Sequence, residues 1–338
     1  MAEDMADDVT AVIVGADRRE TLVAAVESVL RQTVRPAKII VVGDEPYDGE
    51  AHESESYDAE SLPRPEINVI KRDRAGISAA RNKAIASADT PYVLMLDDAD
   101  RLLPDFLAET LPLLRSDGTV IAVSGWLKCF GVLDCVVRPT GGTLPDFLPR
   151  NCCPATCLFR RESWRGCGGY DETLTAETLT GEAADWDFFL RLLENGQLKN
   201  DPLEDCECDP RIVVVSKPLV NHFTTSSDSG VVALKKRSHM LGQILERHRT
   251  AYVENMEHAV LALDSLAGER LRLWENAVQT HPELRQHSIP TREFLEHPTY
   301  GDGGMEAAGR INRARCSAPF YEAERTSAVP EFTKWPTS

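Results

Sequence analysis

The run Tyr92-Val93-Leu94-Met95-Leu96 leads directly into Asp97-Asp98-Ala99-Asp100. A short, unbroken apolar run reads as a strand buried on both faces, because a half-exposed strand would alternate with polar residues. Such a strand belongs in the interior of an α/β sheet. Open α/β sheets bind their ligands at the carboxyl ends of the strands, which is where the three acids stand. Three carboxylates in so few positions repel one another. A divalent cation bridging to a phosphate relieves that repulsion, since Mg²⁺ sites combine one or two carboxylates with substrate phosphates. A solvated acidic turn has the same spacing, so the rest of the chain has to decide.

The preceding residues supply a parallel framework. Residues 9–14 form a short apolar strand ending at Gly15-Ala16-Asp17, and Asp17 with Glu20 makes a capping-box pattern for a helix carrying Leu22, Val26, Val29 and Leu30 at helical spacing. Pro36 closes that unit, and a second buried strand at 38–42 ends at Gly43-Asp44-Glu45. Strand, helix, strand implies a right-handed parallel crossover. Residues 46–64 are polar and aperiodic, a surface loop, and 67–70 is a third strand. Next, Arg74-Ala75-Gly76-Ile77-Ser78-Ala79-Ala80-Arg81-Asn82 opens a helix with a glycine and small residues. Helix N-termini attract anions, and arginine adds a fork of donors.

Beyond Asp100, a helix after Pro104, a strand at 119–124, a mostly loop stretch at 134–149 and a strand at 155–159 are predicted. The turn Gly168-Gly169-Tyr170-Asp171-Glu172 then leads to Ala184-Asp185-Trp186-Asp187-Phe188-Phe189-Leu190. Trp186, Phe189, Leu190 and Leu193 share one helical face, so Trp186 reads as core and Asp185 falls at or near the helix start. An ionised aspartate at a pocket edge can act as a general base; a plain N-cap is the ordinary role for a lone one. A strand at 211–216 passes through Pro218 to His222, which suits a metal or phosphate ligand or a surface hydrogen bond. Residues 231–279 are helical, with a break expected at Ala267-Gly268. Residues 282–338 read as an extended tail.

Composition narrows the partners. A formal net charge of −17 over 338 residues argues against nucleic acid. It leaves room for a nucleotide, whose few phosphates a metal can neutralise. No apolar run approaches the about 18 residues of a membrane span, and residues 1–8 are acidic without an apolar leader core, so a cytoplasmic location is expected. Nine cysteines fit reduced thiols, and no paired C-x₂-C spacing supports a structural zinc.

Taken in order, these motifs resemble the family 2 glycosyltransferases with the GT-A fold. The residues carrying the likeness are Glu27 to Thr33 of the first helix, Asp44, Gly76 through Ala80-Arg81-Asn82, Asp97-Asp98-Ala99-Asp100, Gly168 to Glu172, and Asp185-Trp186-Asp187. The likeness covers roughly residues 9 to 226. It implies an α/β GT-A (nucleotide-diphospho-sugar transferase) fold, a mixed and mostly parallel central sheet flanked by helices with a C-terminal helical extension. It further divides the chain into an acidic tail (1–8), a nucleotide-sugar-binding half (9–115), an acceptor-side half (116–230), the extension (231–280) and a tail (281–338).

The same resemblance implies a nucleotide-sugar donor and a saccharide, lipid-linked or small-molecule acceptor. Asp44 or Glu45 would hold the base of the nucleotide, with Ala16 nearby. Arg74, Gly76 and Arg81 would help hold the nucleotide. Asp98 would contact the ribose or metal, and Asp100 with His222 would hold Mn²⁺ or Mg²⁺ on the diphosphate. Asp185 would deprotonate the acceptor, with Asp187 as second candidate. Gly15-Ala16-Asp17 and Gly43 depart from the family pattern where the nucleotide base would sit, which leaves base specificity open; Ala184 stands where the family usually has Glu, with the presumed base Asp185 kept. A nucleotidyltransferase, or a non-catalytic nucleotide-binding or scaffold protein on the same fold, are the alternatives. An NAD-type enzyme is disfavoured, since no G-x-G-x-x-G follows the first strand. The helical extension suits either closure over the acceptor or contact between two copies in a homodimer.

Overall fold

A computed structural model of the chain describes residues 5–15, 19–43, 64–71, 76–131, 134–173, 181–195, 209–224 and 231–280. Ala16, Asp17, Asp44, Glu45, Arg74 and the 281–338 tail lie outside the described residues. The chain divides into two compact units, residues 1–259 and 260–338.

The first unit is built on a mixed sheet. Strand β1 (Met5–Val14) lies between β2 (Arg35–Gly43) and β4 (Tyr92–Asp97), parallel to both, and β3 (Glu66–Lys71) adds to β2 in the same sense. Beyond β4 comes antiparallel β8 (Cys157–Arg160), then β6 (Val120–Gly131), then β9 (Arg211–Thr224) parallel to β6. Two-residue strands finish the sheet: β5 (Arg101–Leu102) runs against β9, and β7 (Val136–Val137) against β6. Six strands therefore run one way, β3, β2, β1, β4, β6 and β9, and β8, β5 and β7 oppose them.

The apolar run does what its pattern demands. Val93 and Met95 enter one core cluster, Leu94 and Leu96 the other, and all four are fully buried. Helices α1 (Arg19–Leu30) and α3 (Phe106–Ser116) cover the Leu94 face through Val26, Val29, Leu107 and Leu111. Helices α2 (Ile77–Ser87) and α6 (Gly181–Asn195) cover the Met95 face through Ala80, Ala84, Trp186 and Phe189. Each large side chain buried in this way contributes about 1.5–3 kcal/mol. Trp186 is core, as its helical face predicts, and its indole N–H donates to the Phe147 carbonyl at 2.7 Å.

Several boundaries differ from the sequence reading. Strand β1 begins at Met5, because Ala6 is buried opposite Pro36; Asp8 turns outward to Arg115 at 2.8 Å. Pro36 sits inside β2 near its start, a position that tolerates a missing N–H. Within 134–149, a short helix α4 (Leu144–Phe147) forms where the Asp146 carboxylate accepts the Thr143 N–H at 2.8 Å. A six-residue helix α5 (Arg161–Gly166) follows β8. Strand β9 continues through Pro218 to Thr224, the proline absorbed where the register shifts against Gly125, Trp126 and Leu127.

After β9 come α7 (Val231–Arg247), α8 (Arg249–Glu254) and α9 (Met256–Thr280). Helix α9 runs unbroken through Ala267-Gly268. One glycine costs about 1 kcal/mol in a helix, which is too little to stop one. In the second unit the described residues, 260–280, are helical. Among the described residues no helix is long and apolar enough to cross a membrane.

Candidate active site

Helix α2 is the element from which the site is assembled. Gly76 caps it with φ 97°, a conformation that a side chain disfavours. Ala80 and Ala84 then bring the helix close to the sheet and carry Arg81 inward until it is 1% exposed. Its guanidinium makes two ion pairs, with the Asp185 carboxylate at 2.6 Å and with Asp97 at 2.8 Å. It also lies 5.0 Å above the Tyr170 ring. Burial opposes the charge on Arg81, but Asp185 and Asp97 outweigh it and raise its pKa further. The sequence reading gives Arg81 to the nucleotide; in the structure its two terminal nitrogens are engaged by Asp185 and Asp97, and its buried Nε has no hydrogen-bond partner among the described residues.

The next residue anchors the Gly168–Glu172 turn. Asn82 donates to the Tyr170 carbonyl and to the Glu172 carboxylate, both at 2.8 Å, and its own oxygen accepts the Tyr170 N–H and the Trp164 indole N–H. Gly169, at φ 76°, makes room: a Cβ there would stand 2.6 Å from the Asn82 oxygen. Residues Arg81 and Asn82 thus tie the strand end, the later helix and the Gly168–Glu172 turn to one point.

The acids after β4 are parted rather than pooled. Asp97 faces Arg81. Asp98 lies against the end of β1, where a Cβ on Gly15 would come 3.0 Å from its Oδ2. Asp100, 4% exposed, accepts the Thr156 hydroxyl at 2.9 Å, and its other oxygen is 2.8 Å from His222 Nδ1. Burial pushes the Asp100 carboxyl up from its ordinary value, with the His222 hydrogen bond acting against it. His222 stands within β9, opposite Cys129 of β6, rather than after the strand. Asp97 and Asp100 thus have separate partners, although the Asp97 charge still acts to raise the Asp100 carboxyl. Among the described residues no three His, Cys, Asp or Glu side chains gather as a metal-holding group. Asp98, Asp100 and His222 therefore do not form a trio; Asp100 and His222 form a pair.

Asp185 lies one turn into α6 rather than at its cap, because the helix begins at Gly181. It is 5% exposed. Asp187, two residues on, is fully buried and held by Arg191 at 2.8 Å, Arg247 at 3.0 Å and His248 at 3.3 Å. Arg247 also pairs with Asp171, and His248 Nδ1 meets Glu194 at 2.9 Å. Asp187 is a structural clamp between α6 and the α7–α8 corner, which removes it as the second candidate base.

Burial disfavours the charged His248 ring, yet the Asp187 and Glu194 carboxylates prevail and hold its pKa above the ordinary value. A raised histidine pKa gives stability that is fully present below the unfolded value, about 6.5, and is lost as pH rises through the folded value. Thermal unfolding from about pH 6 to about pH 9 is expected to show this decline, and His248→Gln to flatten it. An equal slope in both proteins would remove His248 as its source.

Sequence reasoning missed Asp97 as partner of Arg81, Thr156 as partner of Asp100, and Asn82 as the anchor. Asp97 had a signal, as the last residue of a buried strand. Thr156 had none, being 56 positions from its carboxylate.

Comparison with known proteins finds the following likenesses. A family model described as "Glycosyl transferase family 2" matches residues 10–164. The chain is 31% identical over 171 residues to the succinoglycan biosynthesis protein ExoO of Rhizobium meliloti, covering 48% of this chain and 46% of that one. It is 26% identical over 263 residues to the uncharacterized glycosyltransferase YwdF of Bacillus subtilis, covering 75% and 88%. A crystal structure of S. aureus TarS 1-349 in complex with UDP aligns with a TM-score of 0.49 at 16% identity, over 90% of this chain and 80% of that one. The match thus spans less than half the length of ExoO and most of YwdF.

Proposed function

From the premise that this chain belongs to glycosyl transferase family 2 through residues 10–164, we propose that it moves a glycosyl group from a nucleoside-diphosphate donor to an acceptor hydroxyl, with inversion. The observation that carries this reading is the placement of two carboxylates with different partners near the carboxyl ends of the strands. Asp185 is fixed by Arg81, and Asp100 is paired with His222.

Asp185 takes the acceptor proton as the hydroxyl attacks the anomeric carbon, and Arg81 holds that carboxylate in place. One base suffices for a single in-line displacement, which inverts the anomeric centre. Glycoside hydrolysis, by contrast, uses a pair of carboxylates with water as acceptor. In this reading Asp98, beside the end of β1, meets the ribose. By the same family likeness Ala16, Asp44, Glu45, Arg74 and Gly76 are assigned to nucleotide binding. ExoO is named for succinoglycan biosynthesis, and a saccharide acceptor is the class proposed here.

The donor set beside β9 fits a divalent cation. A carboxylate oxygen keeps further lone pairs after accepting one hydrogen bond, so Asp100 can still ligate. A carboxylate with an imidazole suits Mn²⁺, and Mg²⁺ is served by carboxylate and phosphate oxygens. Asp100 and His222 would hold the cation and diphosphate oxygens would complete its shell. When bound, it supplies Lewis-acid stabilisation of the departing diphosphate.

A thermal-shift panel of UDP, GDP, dTDP and CDP, each with and without Mn²⁺, tests the reading. A ligand at 100 times its Kd stabilises the native state by about 2.7 kcal/mol. One nucleotide is expected to raise Tm only with metal, and Asp98→Ala/Asp100→Ala to abolish the rise. No shift with any of the four would favour a scaffold role instead.

A further inference from the structure

The hairpin joining β6 to β7 carries two cysteines. The register Leu127↔Val137 and Lys128↔Val136 continues so that Cys129 faces Cys135. The Cys129 N–H donates to the Cys135 carbonyl at 2.8 Å. Directly opposed residues in a hydrogen-bonded antiparallel pair have Cα atoms about 5.5 Å apart, inside the range of about 4.4–6.8 Å that a disulfide spans. Burial first, and then the neighbouring Cys135 thiol, push the Cys129 thiol above its ordinary pKa. Cys135 is exposed and Cys129 buried, so one thiol meets solvent and the other waits behind it. By contrast Cys152, Cys153 and Cys157 are all buried.

We propose that Cys129 and Cys135 are a redox couple, a modification site for small-molecule disulfides such as glutathione disulfide, and that its closure adjusts the Asp100–His222 pair. In the first step the Cys135 thiolate attacks one sulfur of the small disulfide. The old S–S bond breaks and one small thiol leaves, carrying the proton. In the second step Cys129, as thiolate, attacks the Cys135 sulfur and expels the second small thiol, which takes the second proton. Two protein thiols are oxidised by two electrons and one small disulfide is reduced to two thiols. Nothing else is consumed.

The link to the site follows from the register. Cys129 has Cys135 on one side and His222 of β9 on the other. Opposed Cβ atoms stand about 4.5–5.5 Å apart in a sheet, whereas a disulfide needs about 3.5–4.5 Å. Closing the bond draws β6 and β7 together by roughly an ångström, in the row that ends at His222 and Asp100. Thiol–disulfide exchange runs in either direction according to the surrounding redox poise, which suits a reversible change. This second part rests on the donor-and-metal reading above; the first part does not.

The full chain is treated with glutathione disulfide, alkylated under denaturing conditions and digested with trypsin. Cleavage after Lys128 and Arg150 leaves both thiols, and no other cysteine, in one peptide. That peptide is expected to lose two hydrogens and escape alkylation, whereas Cys129→Ser retains a glutathione on Cys135. Two alkylated cysteines, or a glutathione persisting on wild-type Cys135, would overturn the couple. The thermal shift with Mn²⁺ and nucleoside diphosphate is then compared before and after oxidation. It is expected to fall on oxidation, recover with dithiothreitol and stay constant in Cys135→Ser. A cross-linked peptide with an unchanged shift overturns the link to the site alone. A reduced protein with no shift for any nucleotide marks failure of the donor reading, and the peptide result stands apart from it.

Discussion

Arg81→Met is expected to destabilise the protein by about 3–5 kcal/mol, the cost of breaking a buried ion pair by removing one partner. The size follows from what remains. Asp185 is 5% exposed and loses a charged donor at 2.6 Å, and Asp97 loses one at 2.8 Å. Methionine fills much of the volume, so packing over Tyr170 is kept and the loss is chiefly electrostatic. Lysine offers one ammonium in place of a fork, so Arg81→Lys is expected to recover only part of the stability. Urea unfolding measures this, as a lower midpoint with an unchanged slope. A midpoint within experimental scatter of wild type would mean that Arg81 is not the organising charge.

Asp185→Asn is expected to lower the transfer rate by about 10²–10⁴-fold, the usual contribution of a positioned general base, while the fold and nucleotide binding persist. Asparagine keeps an oxygen to accept from Arg81, so the variant separates chemistry from architecture in a way that Arg81→Met does not. Release of nucleoside diphosphate from donor in the presence of acceptor gives the rate. The thermal shift with nucleotide and Mn²⁺ gives the binding. A variant that turns over like wild type would move the base elsewhere, and Asp187 is no refuge for it, being wholly enclosed by Arg191, Arg247 and His248.

Much of this was legible in the sequence where the signal was local. The strand at 92–97, the glycine-opened helix carrying Arg81 and the apolar face of α6 each depend on neighbours within a few positions. What escaped depends on register. Arg81 and Asp185 are 104 positions apart, so no spacing rule announces their pairing, and the guanidinium looked available for a nucleotide. His222 was expected after a strand because Pro218 looks like a stop. The sheet accepts that proline at a register shift, which only the partner strand β6 reveals. The acids at 97–100 suggested one shared cation because their partners, Arg81, Thr156 and His222, arrive from distant segments. The crowding of carboxylates was legible locally, and the partners that divide it were not.

Asp185 and Asp187 sit two residues apart on one helix, roughly 200° around its axis at 3.6 residues per turn. One carboxylate is fastened to α2 and the other to the α7–α8 corner. With both sides pinned, α6 has a single angular setting, like a shaft keyed at two points. Turning it by one residue would break both attachments together. Lengthening or shortening the chain ahead of α6 therefore leaves the aim of Asp185 unaltered. Changes in length before residue 181 can accumulate without disturbing the atom proposed to take the proton.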